Sequence, residues 1–135
     1  MKVTRFPPGS DLIIVPAFVS GPNGTRARLE MVFDTGASLT VVAPAVLDRL
    51  GYNPRNAEGR TRIRSAIGEE PGYLIRVLRL RALGHEFGDF RVHAHDLPDG
   101  FGIDGLLGLD FLRRFNFEVR CNEGRVLLQR LPVRH

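Results

Sequence analysis

The sequence predicts a mostly β fold made of short strands, with one or two short helices. Fifteen glycines and nine prolines are spread through the 135 residues and separate short apolar segments. Such a distribution of glycines and prolines is typical of many short strands joined by turns. Residues 25–33 alternate between apolar and polar side chains, with Ala27, Leu29, Met31 and Phe33 on the apolar face. A period of two residues indicates a strand that is buried on one face.

The same spacing of glycines and prolines predicts the remaining strands and turns. The predicted strands are residues 11–20, 25–33, 40–42, 61–67, 72–81, 89–95, 116–120 and 125–130. Turns are predicted at residues 21–24, 68–71, 84–88 and 121–124, and loops at residues 53–60 and 97–102. Strands that are consecutive in the sequence and joined by such a turn are expected to form hairpins.

Two short helices are predicted between these strands. Pro44 suits the first position of a helix and Gly51 suits the position after its last residue, so residues 44–50 are predicted to be helical. The second predicted helix covers residues 109–115. Asp110 lies near its start, where a carboxylate interacts favourably with the helix dipole.

The composition is that of one ordinary globular domain over residues 1–135, with a core of about residues 10–130. Apolar residues make up 43% of the chain and charged residues 25%. The lone Cys121 excludes a disulfide within the chain and a multi-cysteine zinc site. The apolar stretch at residues 12–19 is too short to span a membrane, and no signal peptide is evident. We expect a soluble cytoplasmic protein, or a domain of a membrane-anchored parent, that needs no metal or cofactor.

The chain is basic, with a formal net charge of +4, and almost all of its positive charge comes from arginine. A basic chain raises the hypothesis of a β domain that binds nucleic acid. The arginines are scattered singly, however, and aromatic residues do not alternate with them as in RNA-binding surfaces. We therefore expect neither nucleic acid nor a membrane as a partner.

The motif with the clearest chemical meaning follows the alternating strand. The strand leads directly into Asp34-Thr35-Gly36-Ala37-Ser38. A carboxylate at the end of a buried strand is costly to desolvate unless it is hydrogen-bonded or paired. Thr35 can supply a hydroxyl, and Gly36 permits close approach of another backbone. Taken alone, these residues are also compatible with an ordinary surface turn.

A second segment, Asp104-Gly105-Leu106-Leu107-Gly108-Leu109-Asp110-Phe111-Leu112, occurs late in the chain. Together with the hairpin that leads into Asp-Thr-Gly-Ala-Ser and a glycine-containing hairpin near the middle, it resembles the retropepsin-like aspartic proteases. The chain is most similar to the single-domain, retroviral-type members of cellular organisms, including bacteria. The resemblance covers about residues 10–130 and implies a closed acid-protease β-barrel with a flap hairpin.

The resemblance assigns roles to the first motif by position. Asp34 matches the catalytic aspartate, and Thr35 matches the threonine whose hydroxyl braces two active-site loops against each other. Gly36 matches the glycine whose carbonyl meets the substrate backbone. Ala37 and Ser38 match the start of the segment that lines the substrate.

The resemblance also assigns a supporting loop and a flap. Leu106, Leu107 and Gly108 match the psi-shaped loop that supports the catalytic loop. The hairpin of about residues 62–76 matches the flap that covers substrate, with substrate-binding residues at its tip, namely Ala66, Ile67 and Gly68. The flap departs from the viral pattern, because several glycines are replaced here by Glu69-Glu70-Pro71.

The family's chemistry requires two carboxyl groups that share one proton. Because this chain carries one Asp-Thr-Gly motif, the resemblance implies a homodimer with Asp34 of each chain at the two-fold axis. Residues 126–128 and 3–6 are expected to be edge strands at the dimer interface. The implied substrate is an extended peptide with apolar side chains. The expected pocket walls are Ala37, Leu39, Val41, Ile67 and Leu107.

Several alternatives to this interpretation are kept. One alternative function is a dimer on the same fold that binds peptide as a scaffold without useful cleavage. Asp104 and Asp110 are the alternatives for a second catalytic carboxylate, although structural roles are preferred. His93 and His95 point to one face of a predicted strand, so a metal pair is one alternative, but a solvated strand face is the favoured interpretation.

Overall fold

A computed structural model describes residues 1–65, 68–97 and 102–130 of the chain. The strands are β1 (Lys2–Arg5), β2 (Ile14–Ser20), β3 (Arg26–Phe33), β4 (Val41–Val42), β5 (Gly59–Ser65), β6 (Gly68–Ala82), β7 (His85–Ala94), β8 (Gly105–Leu107), β9 (Phe115–Arg120) and β10 (Arg125–Arg130). The helices are α1 (Pro44–Leu50), a short 3-10 helix (Pro54–Asn56) and α2 (Leu109–Leu112). The predicted mostly β fold with short helices is confirmed.

Six of the strands close into a barrel. Their order is β2-β3-β8-β4-β7-β6, and β6 pairs back onto β2. Two of the pairings, β3 with β8 and β4 with β7, are parallel, and the others are antiparallel. The β5 strand extends the sheet beyond β6 as one arm of a hairpin. Because the barrel is closed, each of its strands can form backbone hydrogen bonds with a neighbouring strand on both sides.

The β2–β3 hairpin has the register that the alternating sequence predicts. Val15 pairs with Met31 and Ala17 with Leu29, and all four side chains are buried. The charged side chains between them, such as Arg28, point to solvent. Burying a Leu or Met side chain stabilises a fold by roughly 2 kcal/mol. A shift of one residue would turn Leu29, Met31 and Phe33 out of the core at once, and this fixes the position of the residues that follow them.

The α1 helix begins and ends where the sequence predicts. Pro44 lies in its first turn, and Gly51 follows its last residue with a left-handed backbone (φ 98°). The amide of Gly51 donates a hydrogen bond to the Asp48 carbonyl. Val46, Leu47 and Leu50 are buried and pack the helix into the core. None of the helices in the described parts of the chain is long and apolar enough to cross a membrane.

The turn predicted at residues 84–88 is displaced. The β7 strand already begins at His85, and the turn is formed by Leu83 and Gly84, whose φ angles are 54° and 77°. Two positive φ angles are what a tight two-residue hairpin requires. No local pattern predicts this role for Leu83, because leucine rarely adopts such a backbone. Leu83 is buried in the core, and its apolar burial offsets the backbone strain.

The turn predicted at residues 68–71 is also wrong. Gly68 pairs with Ser65, Glu69 with Arg64, Glu70 with Ile63 and Pro71 with Arg62, so these residues belong to β6. Proline is accommodated because β7 pairs with β6 only from Tyr73 onward. No described strand therefore pairs with Pro71 on the side away from β5. Since proline has no amide hydrogen to donate, it fits at a position where no neighbouring strand needs one.

A three-stranded antiparallel sheet lies beside the barrel, in the order β1-β10-β9. The predicted hairpin of residues 116–120 and 125–130 is confirmed, and Cys121 lies exposed in its turn. The second helix is shorter than predicted, because its last residue is Leu112 and β9 begins at Phe115. An aromatic cluster packs around this helix and contains Phe87, Phe90, Phe111 and Phe115.

The arrangement of this sheet changes one expectation about its edges. Residues 126–128 were expected to form an edge strand, but β10 is paired on both sides, with β1 and with β9. The physical reason is that the first strand of the chain returns to the last, which leaves β10 in the centre. The expectation that residues 3–6 contribute an edge strand is confirmed by β1.

Candidate active site

The Asp-Thr-Gly loop begins immediately after β3. The amide of Asp34 donates a hydrogen bond to the Leu107 carbonyl (3.1 Å), which extends the pairing between β3 and β8 by one residue. The carboxylate Oδ1 of Asp34 accepts a hydrogen bond from the amide of Gly36 (2.9 Å). A second hydrogen bond joins the amide of Ala37 to the carbonyl of Asp34 (3.3 Å). The carboxylate is thus held by its own turn and is partly open to solvent.

The supporting loop is built by placing β8 between β3 and β4. Leu107 pairs with Phe33 in the parallel direction, and Leu106 pairs with Val41 in the antiparallel direction. Gly108 then passes close to the segment that follows the Asp-Thr-Gly loop. A Cβ atom at this position would lie 2.5 Å from the Leu39 carbonyl oxygen, so only glycine fits without movement of the backbone.

A buried polar network joins the two loops. Thr40 is 0% exposed, and its hydroxyl donates to Asp110 Oδ1 (2.6 Å) while accepting from the Gly108 amide (3.2 Å). The Asp110 carboxylate also accepts from the amides of Thr40 (3.0 Å) and Phe111 (2.8 Å). The backbone adds hydrogen bonds from Leu109 and Asp110 to the carbonyls of Ala37 and Ser38. These contacts fix the segment that follows Asp34 against the start of α2.

The sequence-predicted residues fall into two groups. Residues 34–38 and 106–108 meet at this site, with Thr35 and Ser38 exposed. Ala66 and Ile67 lie outside the described residues, and Gly68 is the first residue of β6. One expected pocket wall is wrong, because Leu107 is 0% exposed. Its side chain packs in the core cluster, whereas Val41, although buried, lies outside that cluster. Leu39 is 40% exposed.

The two other carboxylates considered from sequence have structural partners. Asp104 Oδ2 accepts a hydrogen bond from the amide of Glu30 (2.8 Å), and its backbone bonds to Glu30 and Ala43. Asp110 is engaged with Thr40 as described above. Sequence reasoning missed the buried role of Thr40. The available signal was weak, namely a hydroxyl residue directly before the apolar Val41-Val42 pair.

The histidine pair is placed differently from the favoured expectation. A solvated strand face was expected, but His93 is 8% exposed while its neighbour Arg91 is exposed. The reason is that β7 lies beside β4, and the amide of His93 bonds to the Thr40 carbonyl. In the described parts of the chain, no group of three or more His, Cys, Asp or Glu side chains is arranged to hold a metal ion.

The environment of His93 favours its neutral form. Burial lowers the pKa of the imidazole below its usual 6.5, and the positive charges of Arg91 and His95 lower it further. The negative charge of Asp110 acts in the opposite direction and raises the pKa of His93. The net direction is downward, because desolvation of the charged ring is the largest effect.

The lowered pKa of His93 predicts a loss of stability in mild acid. The unfolded chain binds this proton at higher pH than the folded chain, so the free energy of unfolding falls as the pH drops through 6.5. The slope from one such group is at most about 1.4 kcal/mol per pH unit. Urea unfolding at about pH 7.5 and about pH 5.5 should show this decrease, and His93→Gln should reduce it. An identical pH dependence in both proteins would contradict the assignment.

Comparisons with known proteins agree with this geometry. A family model described as aspartyl protease matches residues 15–111. No curated protein matches the chain. Among solved structures, a retropepsin-like aspartic protease from Rickettsia conorii is 23% identical with a TM-score of 0.68, and the alignment covers 93% of this chain and 87% of that chain.

Two further solved structures share the fold. The EIAV protease, solved in complex with the inhibitor HBY-793, is 25% identical with a TM-score of 0.58, over 78% of this chain and 88% of that chain. The retroviral protease-like domain of Ddi1 from Leishmania major is 18% identical with a TM-score of 0.61, over 91% of this chain and 96% of that chain. The family match extends over most of the chain and the barrel is shared with these structures. The chain therefore belongs to the aspartyl protease family and has a retropepsin-like fold.

Proposed function

We propose that the protein is an aspartic endopeptidase that acts as a homodimer, with Asp34 of each chain as the catalytic residue. The observation that carries the proposal is the position of the Asp34 carboxylate. It lies at the end of β3, partly open to solvent, and the Gly36 amide fixes its orientation within an Asp-Thr-Gly loop. Membership of the aspartyl protease family supports the same reaction class.

The proposed reaction uses two carboxyl groups and one water molecule. One Asp34, as the carboxylate, accepts a proton from the water, which attacks the carbonyl carbon of the peptide bond. The other Asp34, as the carboxylic acid, donates a hydrogen bond to the carbonyl oxygen, and the leaving nitrogen is protonated as the C–N bond breaks. The products are a new carboxyl terminus and a new amino terminus. Gly36, Ala37 and Ser38 follow the carboxylate in the chain and are proposed to contact the substrate, and Thr35 is proposed to brace the two loops.

The second carboxyl group is proposed to come from the partner chain. Asp104 and Asp110 are both engaged in hydrogen bonds within the fold, which leaves Asp34 as the carboxylate available for pairing at this loop. The sheet formed by β1, β10 and β9 lies next to the loop, because the Phe117 ring of β9 packs edge-on against Phe33 at 5.2 Å between ring centroids. The outer edge of β9 has no strand partner within the described residues. We therefore place the dimer interface at this sheet.

Mixing experiments should reveal the shared site. Wild-type protein allowed to exchange subunits with an equal amount of Asp34→Asn protein should lose about half of its activity per wild-type chain, because half of those chains then have an inactive partner. The matched control is Asp48→Asn, which removes an exposed carboxylate on α1. Mixing with that variant should cause no loss. Unchanged activity in both mixtures, with subunit exchange verified by mass spectrometry, would show that each chain carries a complete site.

The experiment that tests the proposed function is cleavage of a mixed peptide library at high protein concentration, from about pH 4 to about pH 7. Mass spectrometry of the products would show both the activity and the residues on either side of the cleaved bond. Cleavage by the wild-type protein and not by Asp34→Asn would establish the reaction. A stable dimer that binds peptides and cleaves none would favour a peptide-binding scaffold instead.

A further inference from the structure

We propose that a small cationic pocket beside the catalytic loop binds an acidic side chain of the peptide substrate. The pocket, called here the Arg114 pocket, has a volume of about 280 Å³. Its lining residues are Leu39, Arg76, Gly88, Asp89, Phe90, Arg91, His93, Asp110 and Arg114. This inference rests on the proposed peptidase function and names a substrate class for it.

Arg114 is the group best placed to bind the acid. Its guanidinium lies over the rings of Phe87, at 4.4 Å from the centroid, and Phe90, at 5.4 Å. No carboxylate in residues 1–65, 68–97 or 102–130 forms an ion pair with it. Contact with two aromatic rings restrains the guanidinium, and its fork of N–H donors suits the two oxygens of a carboxylate. The positive charge is thus oriented and available for a ligand.

The carboxylates near the pocket are already engaged. Asp110 accepts three hydrogen bonds from Thr40 and Phe111. Asp89 is mostly exposed and lies 3.7 Å from a guanidinium nitrogen of Arg76. The hydrogen-bond donors and the guanidinium that already contact these two carboxylates reduce their repulsion of an acidic side chain of the substrate.

The other two arginines of the lining already have carboxylate partners. Glu58 pairs with Arg76 and, at 3.2 Å, with Nε of Arg91. One carboxylate thus faces two guanidinium groups at this rim. The lining carries three arginines and two aspartates, and Glu58 adds a third carboxylate at the rim, so the cation left for a ligand is Arg114. Nδ1 of His93 is buried without a hydrogen-bond partner, and its ring forms part of the same wall.

The pocket is within reach of a peptide bound at Asp34. Leu39, at its lip, follows Asp34 by five residues, so the two positions are at most about 18 Å apart. Asp110, in its wall, bonds through its amide to the Ser38 carbonyl at 3.2 Å. An extended peptide rises about 3.3 Å per residue, so it reaches the pocket within about six residues of the cleaved bond. The pocket volume suits one side chain rather than a larger ligand.

The test compares matched peptides that differ in one side chain. A cleaved peptide is resynthesised with Glu or Gln at each position up to six residues from the cleaved bond, and kcat/KM is measured for each pair. At one position the wild-type protein should prefer Glu by about tenfold, the effect of one charged hydrogen bond. Arg114→Gln should reduce this ratio towards one. Arg113→Gln is the matched control, because Arg113 is an exposed neighbour that does not line the pocket, and it should keep the ratio.

A binding measurement separates failure of this inference from failure of the proposed function. Asp34→Asn protein is titrated with matched Glu and Gln peptides, based on a library peptide that binds where none is cleaved, while the His93 ring signals are followed by NMR. A shift with the Glu peptide alone supports the Arg114 pocket even if no peptide is ever cleaved. Cleavage without any Glu preference, together with no selective shift of the His93 signals, would overturn the proposed role of the Arg114 pocket. The proposed peptidase function would be unaffected by that result. A preference that survives in Arg114→Gln would also overturn it.

Discussion

Replacing Asp34 by Asn should abolish peptide cleavage while the fold and the dimer persist. The asparagine side chain keeps an oxygen that can accept the Gly36 amide hydrogen bond, so the loop geometry should survive. It cannot accept or release the proton that the proposed reaction moves. General acid–base catalysis contributes about 10² to 10⁴-fold to a rate, and both carboxyls of the proposed dimer are removed at once. We expect a decrease in kcat/KM of at least about 10³-fold.

The controls for this prediction must distinguish loss of chemistry from loss of structure. The urea midpoint and the sedimentation behaviour of Asp34→Asn should match those of the wild-type protein. Asp48→Asn removes the same charge from the exposed face of α1 and should retain full activity. Wild-type turnover in Asp34→Asn would show that a different group activates the water, and the catalytic assignment would then be withdrawn.

The parts of the fold predicted well from the sequence are those with a local physical cause. The alternation in β3 fixes its buried face, and the Pro44 and Gly51 pair fixes both ends of α1. The Asp-Thr-Gly motif identified the loop in which the structure places Asp34. In each case the signal lies within about ten residues and needs no information about distant parts of the chain.

The parts predicted poorly depend on contacts between distant residues. The turn at Leu83 is stabilised by burial of its own side chain, which no local pattern shows. The central position of β10 arises because β1, from the opposite end of the chain, pairs with it. His93 is buried because β7 packs beside β4, although the alternation around it resembles that of a solvated strand.

The buried network at Thr40 is the clearest case of a feature that required the structure. Thr40 and Asp110 are far apart in the sequence, and neither stands in a motif that predicts their contact. In the fold, the carboxylate of Asp110 satisfies both the amide and the hydroxyl of a residue with no exposed surface. Such a network holds the Asp-Thr-Gly loop and the supporting loop in one arrangement.

Removing the Asp110 carboxylate should therefore destabilise the protein strongly. In Asp110→Ala the Thr40 amide and hydroxyl lose their acceptor inside the core, and a buried unsatisfied donor costs about 1 to 3 kcal/mol. We expect the free energy of unfolding, measured with urea, to fall by about 3 kcal/mol.

Two further variants connect this loss to the active site. Asp110→Asn keeps one carbonyl oxygen for the Thr40 hydroxyl and should lose less stability than Asp110→Ala. Asp48→Ala, an exposed change, should alter the free energy of unfolding by less than about 0.5 kcal/mol. Because Asp110 acts through the position of the segment between Asp34 and Thr40, kcat should fall together with stability and recover partly in Asp110→Asn. Full stability in Asp110→Ala would show that the network is not what holds the two loops together.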